Sequence, residues 1–204
     1  MGTVPSIKGS VYTTAVEDVN KLLAAGELTV EQAKRWLKDD DFQLLDQDIS
    51  VASWYDIRSY HRLNCLLREV AGEGRNEYLR EKGRDTARRL LAMGLYSQLE
   101  YLHHTRVAGA EGTAERFEAF GRDLVRLSTI SGSILNFSHW KSRPDPTRAM
   151  RYVIEVSEAR DFPETLAWRS DGFVNEMASQ HGADDLWTWS REPDAIVFRM
   201  TREI

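Results

Sequence analysis

The sequence holds a single cysteine, Cys65, among 204 residues. One thiol builds neither an internal disulfide framework nor a multi-cysteine metal site, and it fits a reducing cytoplasm, the expected compartment. No apolar run is long enough to span a bilayer, and the first thirty residues lack a basic-then-apolar leader pattern, so no membrane insertion is expected. Charge of one sign is nowhere concentrated. The net charge of −5 divides into −2 over residues 1–104 and −3 over 105–204, which leaves no basic footprint for nucleic acid or an anionic membrane. Short catalytic signatures are also missing: no Gly-x-Ser-x-Gly elbow, no phosphate-binding loop ending in Lys-Ser/Thr, no His-Glu-x-x-His and no Cys-x-x-Cys. The expectation is a non-catalytic protein without a metal centre.

What is present is enough apolar material, 42% of residues, to bury one sizeable core, so residues 1–204 read as one domain. Its hydrophobic period changes near residue 130. Before that point apolar residues recur at helical spacing, as in Val11, Ala15, Val19, Leu22 and Leu23, with Gly26 as a stop. Thr29 and Gln32 have the spacing of a capping box, and Asp39-Asp40-Asp41 reads as a polar, solvated break. Ser53 is the expected cap of a helix carrying Ile57, Tyr60, Leu63, Leu67 and Val70, with Asp56 at its third position. The next helix places Leu79, Gly83, Thr86, Ala87 and Leu90 inward, and Gly83 with Ala87 would let a neighbouring helix approach closely. Residues 107–112 form an internal linker, followed by a helix with Phe117, Phe120, Leu124 and Leu127.

After residue 130 the pattern becomes strand–strand–helix–strand–strand. Leu135, Phe137 and His139 alternate with polar or smaller neighbours, the loop 142–146 reverses the chain, and Tyr152, Ile154 and Val156 form a second strand. A helix runs from Asp161 to Gly182 with Leu166, Phe173, Val174 and Met177 on its buried face; Gly172 inside it implies a close neighbour. A final hairpin carries Trp187 and Trp189, then Ile196, Phe198 and Met200. The predicted class is therefore α+β: an N-terminal helical bundle over 1–130, then a ββαββ unit over 131–204 forming a four-stranded antiparallel sheet.

Candidate functional residues are few. Adjacent residues on a helix diverge by about 100°, so His103 and His104 cannot easily share a metal, although either could be a single axial ligand. A polar helix end, where a histidine meets the helix dipole favourably, is the preferred explanation. His61 reads as a hydrogen-bonded, partly buried side chain, and His139 could line a pocket beside Leu135 and Phe137. An enzyme using one of them in an aromatic-lined pocket is a further alternative. Arg75, Arg80, Lys82, Arg84, Arg88 and Arg89 alternate with Glu77, Glu81 and Asp85, the pattern of a solvent face laced with ion pairs. The aromatic surplus is more telling. Trp54, Tyr55, Phe173, Trp187 and Trp189, with His139, are the residues expected at a small apolar ligand or at an interface with a protein partner, including a second copy in a homodimer.

The Ile7-Lys8-Gly9 start, Trp54-Tyr55 opening a helix, Glu81-Lys82-Gly83-Arg84, the Tyr152–Glu155 strand, the Gly172-Phe173 helix and the closing hairpin are similar to those of a large paralogous family of myxobacterial proteins. The order of elements resembles the heme nitric-oxide/oxygen-binding (H-NOX) domains and the related vinyl-reductase-like ligand-binding domains. That resemblance implies a bacterial sensory or protein-interaction module involved in signalling, without a cofactor. Its alternative is a heme-based gas sensor with His103 or His104 as axial ligand. Such a sensor grips the heme propionates through Tyr-x-Ser-x-Arg, of which Asn136-Phe137-Ser138-His139-Trp140 keeps only the serine.

Overall fold

The computed structural model describes residues 4–92 and 112–204. A short strand β1 (Ser6–Lys8) leads into α1 (Gly9–Ala24), α2 (Val30–Ala33) and α3 (Asp39–Leu45); β2 (Trp54–Asp56) then leads into α4 (Ile57–Val70) and α5 (Asn76–Ala92). The second half comprises α6 (Thr113–Ser133), β3 (His139–Pro144), β4 (Tyr152–Ser157), α7 (Glu164–Ser179), β5 (Trp187–Glu192) and β6 (Ala195–Met200). The strands β3–β6 form a four-stranded antiparallel sheet in the order β3-β4-β6-β5, so the α+β reading holds.

Local chemistry places several boundaries. Thr29 accepts from the Gln32 N–H while Gln32 accepts from the Thr29 N–H, the reciprocal box expected at α2. Four other expectations are corrected. Asp39-Asp40-Asp41 is no solvated break: it forms the acidic first turn of α3, where the helix dipole favours negative charge, and Asp41 is buried. Trp54-Tyr55 does not open a helix, because those residues pair with β1 as β2 and the cap of α4 is Asp56, whose carboxylate accepts from the Arg58 N–H. The first long strand begins at His139, several residues late. The helix α6 extends to Ser133, and Leu135 bridges Ile7 instead of joining the large sheet. The residues expected to turn, Ser142 to Pro144, consequently pair with β4. Likewise Asp161 lies two residues before the cap of α7, which is Pro163.

Those shifts tie the two halves together. β1 lies between β2 and the segment after α6: Lys8 N–H donates to the Ile134 carbonyl at 2.9 Å, and the Asn136 side chain accepts from Ser6 N–H at 2.7 Å. One hydrophobic core runs through both halves, from Ile7 and Tyr12 to Trp187 and Phe198. The helix α7 is buried on almost every side, between α5 and the sheet. Its contact with α5 is made by backbone. A Cβ on Gly83 would overlap the Arg169 carbonyl oxygen, and one on Gly172 would overlap the Arg80 carbonyl oxygen. On the sheet side Asn175 holds Trp187 by both its amide groups, at 2.8 and 3.1 Å.

The basic face of α5 reaches further than its own acids. Arg80 bonds Asp171 and Asp185, Arg84 bonds Asp185, Arg88 reaches Glu176 and Lys82 reaches Asp18. It is a fastening to α7 and α1 as well as a solvated surface. Among the described residues no helix is long and apolar enough to cross a membrane.

Candidate functional site

The most informative space lies where α1, α4, α5, α7 and the start of the sheet converge. It is a cavity of about 40 Å³ lined by Val11, Tyr60, Gly83, Thr86, Leu90, Ser131, Ile134, Leu135, Trp140, Leu166, Arg169, Ser170 and Phe173. The walls are mostly apolar because each element turns its core stripe inward, and α7 contributes Leu166, Arg169, Ser170 and Phe173 at helical spacing. Arginine is unexpected on such a stripe. The backbone contact at Gly83 sets Arg169 against α5 with Thr86 one turn further on.

Arg169 is 4% exposed. Its guanidinium donates to Asn64 Oδ1 at 2.7 Å and to the hydroxyls of Thr14 and Thr86 at 3.3 Å, and lies 5.6 Å from the centre of the Tyr60 ring. Both threonine hydroxyls donate in turn to carbonyls of their own helices, which leaves lone pairs for the arginine. The Tyr60 hydroxyl is buried with no partner, as is Trp140 Nε1. Asn64 gives one amide N–H to the Tyr60 carbonyl and accepts from Arg169 through Oδ1. Burial raises the Tyr60 hydroxyl pKa, so it is an O–H donor at neutral pH.

Of the residues expected at a ligand site or interface, only Phe173 lines this cavity. Trp54 is exposed on β2 beneath the Lys8 ammonium, 4.2 Å from its ring centre. Tyr55 stacks on Tyr12 at 4.7 Å and its hydroxyl accepts from Ser50 N–H. His139 does not sit with Leu135 and Phe137 on one strand face as expected. It stands exposed on the edge strand and faces Glu158 at 3.4 Å, because the strand begins only at that residue. Trp187 is buried against Phe120. Trp189 meets Trp168 edge-to-face at 5.3 Å over a surface crevice of about 320 Å³ that also includes Glu77, Arg80 and Asp171. The tryptophan face is thus largely covered from within the chain. His103 and His104 lie outside the described residues.

Two histidines form other arrangements. His61 meets Thr165 Oγ1 at 2.9 Å and Cys65 Sγ at 3.6 Å, beside a crevice with Arg58, Asp161 and Glu164. Burial lowers the His61 pKa and raises that of the Cys65 thiol, so the pair sits as neutral imidazole and thiol, not as an activated thiolate. His181 lies 3.6 Å from Asp123 against Phe120; burial lowers the one and raises the other. His61 and His139 line no common cavity among the described residues. No group of three His, Cys, Asp or Glu side chains converges as a metal site within the described residues.

The cavity was missed in the sequence because its lining comes from residues far apart in the chain. One signal was available: Arg169 falls three residues after Leu166 and four before Phe173, on the face read as buried.

No family model and no curated protein matches the chain. Solved structures match its fold. The Fe(II) unliganded H-NOX protein from K. algicida aligns over 95% of both chains with a TM-score of 0.56 at 10% identity. A mutant H-NOX of T. Tengcongensis aligns over 97% of this chain and 100% of its own, with a TM-score of 0.50 at 10% identity. A third, an H-NOX protein studied for the function of heme distortion, covers 97% of each chain at a TM-score of 0.50 and 11% identity. At such identities the likeness is one of fold.

Proposed function

We propose that the chain is a non-catalytic sensory module that binds a small molecule between its helical half and its ββαββ half. The observation that carries this reading is the cavity itself: an apolar space walled by both halves, two of whose lining residues, Tyr60 and Trp140, carry buried donors without partners. Packed interiors leave few voids, and an unpaired buried polar group costs roughly 1–3 kcal/mol. A ligand that fills the space and satisfies those donors favours whichever arrangement of the halves holds it best, which is the physical content of sensing. The H-NOX-like architecture supports the reading by analogy of fold only.

The test is a thermal-shift panel of small neutral and ionised molecules on the purified chain, repeated with Leu90→Phe, which overfills the cavity. Stabilisation of the parent that the variant loses is the expected result. No stabilisation by any molecule, or a measurable turnover, contradicts the reading. Self-association belongs to the same proposal: Val4, Val51 and Trp54 are exposed around the small β1–β2 sheet, and light scattering should show a dimer whose fraction falls with Trp54→Ser.

A heme-based gas sensor is the second reading, favoured by the H-NOX neighbours. The described residues do not fit the macrocycle. The cavity is about 40 Å³, against roughly 300–1,000 Å³ for the site of an ordinary organic ligand. The lining contains no histidine or cysteine. Asn136 spends its amide on Ser6 and Val4, and no arginine fork follows Ser138. Titration with hemin should give no Soret band. A band abolished by His103→Ala with His104→Ala would establish the heme reading instead.

A further inference from the structure

Arg169 carries the charge that the cavity leaves unanswered. Among the described residues it has no carboxylate within 4.0 Å, whereas Arg62, Arg80 and Arg84 each have one. Its three hydrogen bonds use three of the five N–H groups of a guanidinium. Two residues that line the same space, Tyr60 and Trp140, carry a buried hydroxyl and a buried indole N–H without partners. Buried polar atoms are almost always satisfied, so two idle donors near a buried positive charge that has no carboxylate point to what is missing: an anion. A helix clamp alone would explain the bonds to Thr14, Asn64 and Thr86 but not the idle hydroxyl and indole.

Size and wall chemistry narrow the anion. At about 10–15 Å³ per water-sized group, 40 Å³ admits roughly three such groups. Val11, Leu135 and Leu166 offer nothing to an inorganic ion but suit methyl and methylene groups. Deepening the ligand-binding reading, on which it rests, we propose that this site takes a short-chain aliphatic monocarboxylate of acetate or propionate size. The carboxylate lies against Arg169 and the Tyr60 hydroxyl, and the alkyl end lies on the apolar wall.

The experiment is calorimetric titration and thermal melting of the full chain at neutral pH and fixed ionic strength. Its probes are sodium acetate, propionate and octanoate, with propionamide, propanol and sodium chloride as comparators. Propionate should bind saturably and raise the melting temperature; propionamide, propanol and chloride should not, and octanoate should bind more weakly than propionate. Arg169→Gln should weaken propionate about ten- to a hundredfold, in line with a charge-assisted bond. Tyr60→Phe removes only an unpartnered hydroxyl, so it should fold as the parent does and still weaken propionate several-fold. If propionamide or propanol stabilises as well as propionate, the cavity binds small molecules but the carboxylate assignment is overturned. Chloride equalling propionate, or propionate binding Tyr60→Phe and Arg169→Gln as tightly as the parent, also overturns it. If neither the acids nor their neutral analogues bind and the wider panel fails too, the ligand-binding reading falls with it.

Discussion

Arg62, on α4, meets Asp41 through two short bonds of 2.6 and 2.7 Å, while Arg169, on α7, meets only amide and hydroxyl oxygens. The first belongs to a completed network. The Tyr12 hydroxyl reaches Ser59, Ser59 donates to Asp41, and the Lys38 N–H donates to the same carboxylate. Burial pushes Tyr12 up to about 12, so its proton stays in the chain of bonds. Around Arg169 the donors outnumber the acceptors and a cavity adjoins them. The same residue type thus marks a structural joint in one place and, in the reading proposed above, a ligand site in the other. The difference lies in whether the surrounding groups close the account of charge and hydrogen bonds.

Breaking the completed joint should cost most. Asp41→Ala strands Arg62, which keeps some contact with water, and should lose about 3 kcal/mol in urea denaturation, the low end for a broken buried pair. Gly172→Ala comes next. An ordinary helical site would gain up to about 1 kcal/mol from that change, but here the methyl group meets the Arg80 carbonyl, and a net loss of about 1–3 kcal/mol is expected. Arg169→Met should cost less than Asp41→Ala, about 1–2 kcal/mol, because it removes an uncompensated charge and leaves mainly Asn64 Oδ1 without its donor. A loss as large as that of Asp41→Ala would erase the contrast between the two arginines. Tyr60→Phe should change stability least, by under about 1 kcal/mol and toward gain.

A pH profile sharpens the same contrast. Burial alone would raise the Asp41 carboxyl, but Arg62, the Lys38 N–H and Ser59 outweigh it and hold its pKa below the ordinary 3.8. Its contribution to stability is therefore complete above that value and is lost as pH falls through the lowered one. Denaturant titrations of the parent and Asp41→Asn below pH 4 should converge. Arg169 has no acid to titrate, so Arg169→Met should keep the parent's acid limb.

Sequence pattern alone revealed the parts of the fold that rest on local chemistry. The Thr29–Gln32 box, the stripe of α4 and the glycines that admit a close helix contact all follow from spacing within one element. Asp41 was misread because its partner Arg62 is 21 residues away on another helix, and no local rule connects them. The strand expected at 134–139 moved because Ile7 captured Leu135, a contact across most of the chain. The cavity escaped the sequence reading for the same reason. The residues expected at a ligand or an interface were chosen for chemistry available on their own elements, and of them only Phe173 lines the cavity, which is defined by what α1, α4, α5, α7 and β3 leave between them.

The most direct test of the central claim is a crystal structure of the chain grown in propionate. The account predicts a planar carboxylate within hydrogen-bonding distance of Arg169 and the Tyr60 hydroxyl, with its alkyl end against Val11, Leu135 and Leu166. A cavity holding only water, or closed by rearranged side chains that give Tyr60 and Trp140 partners from the protein itself, would contradict it.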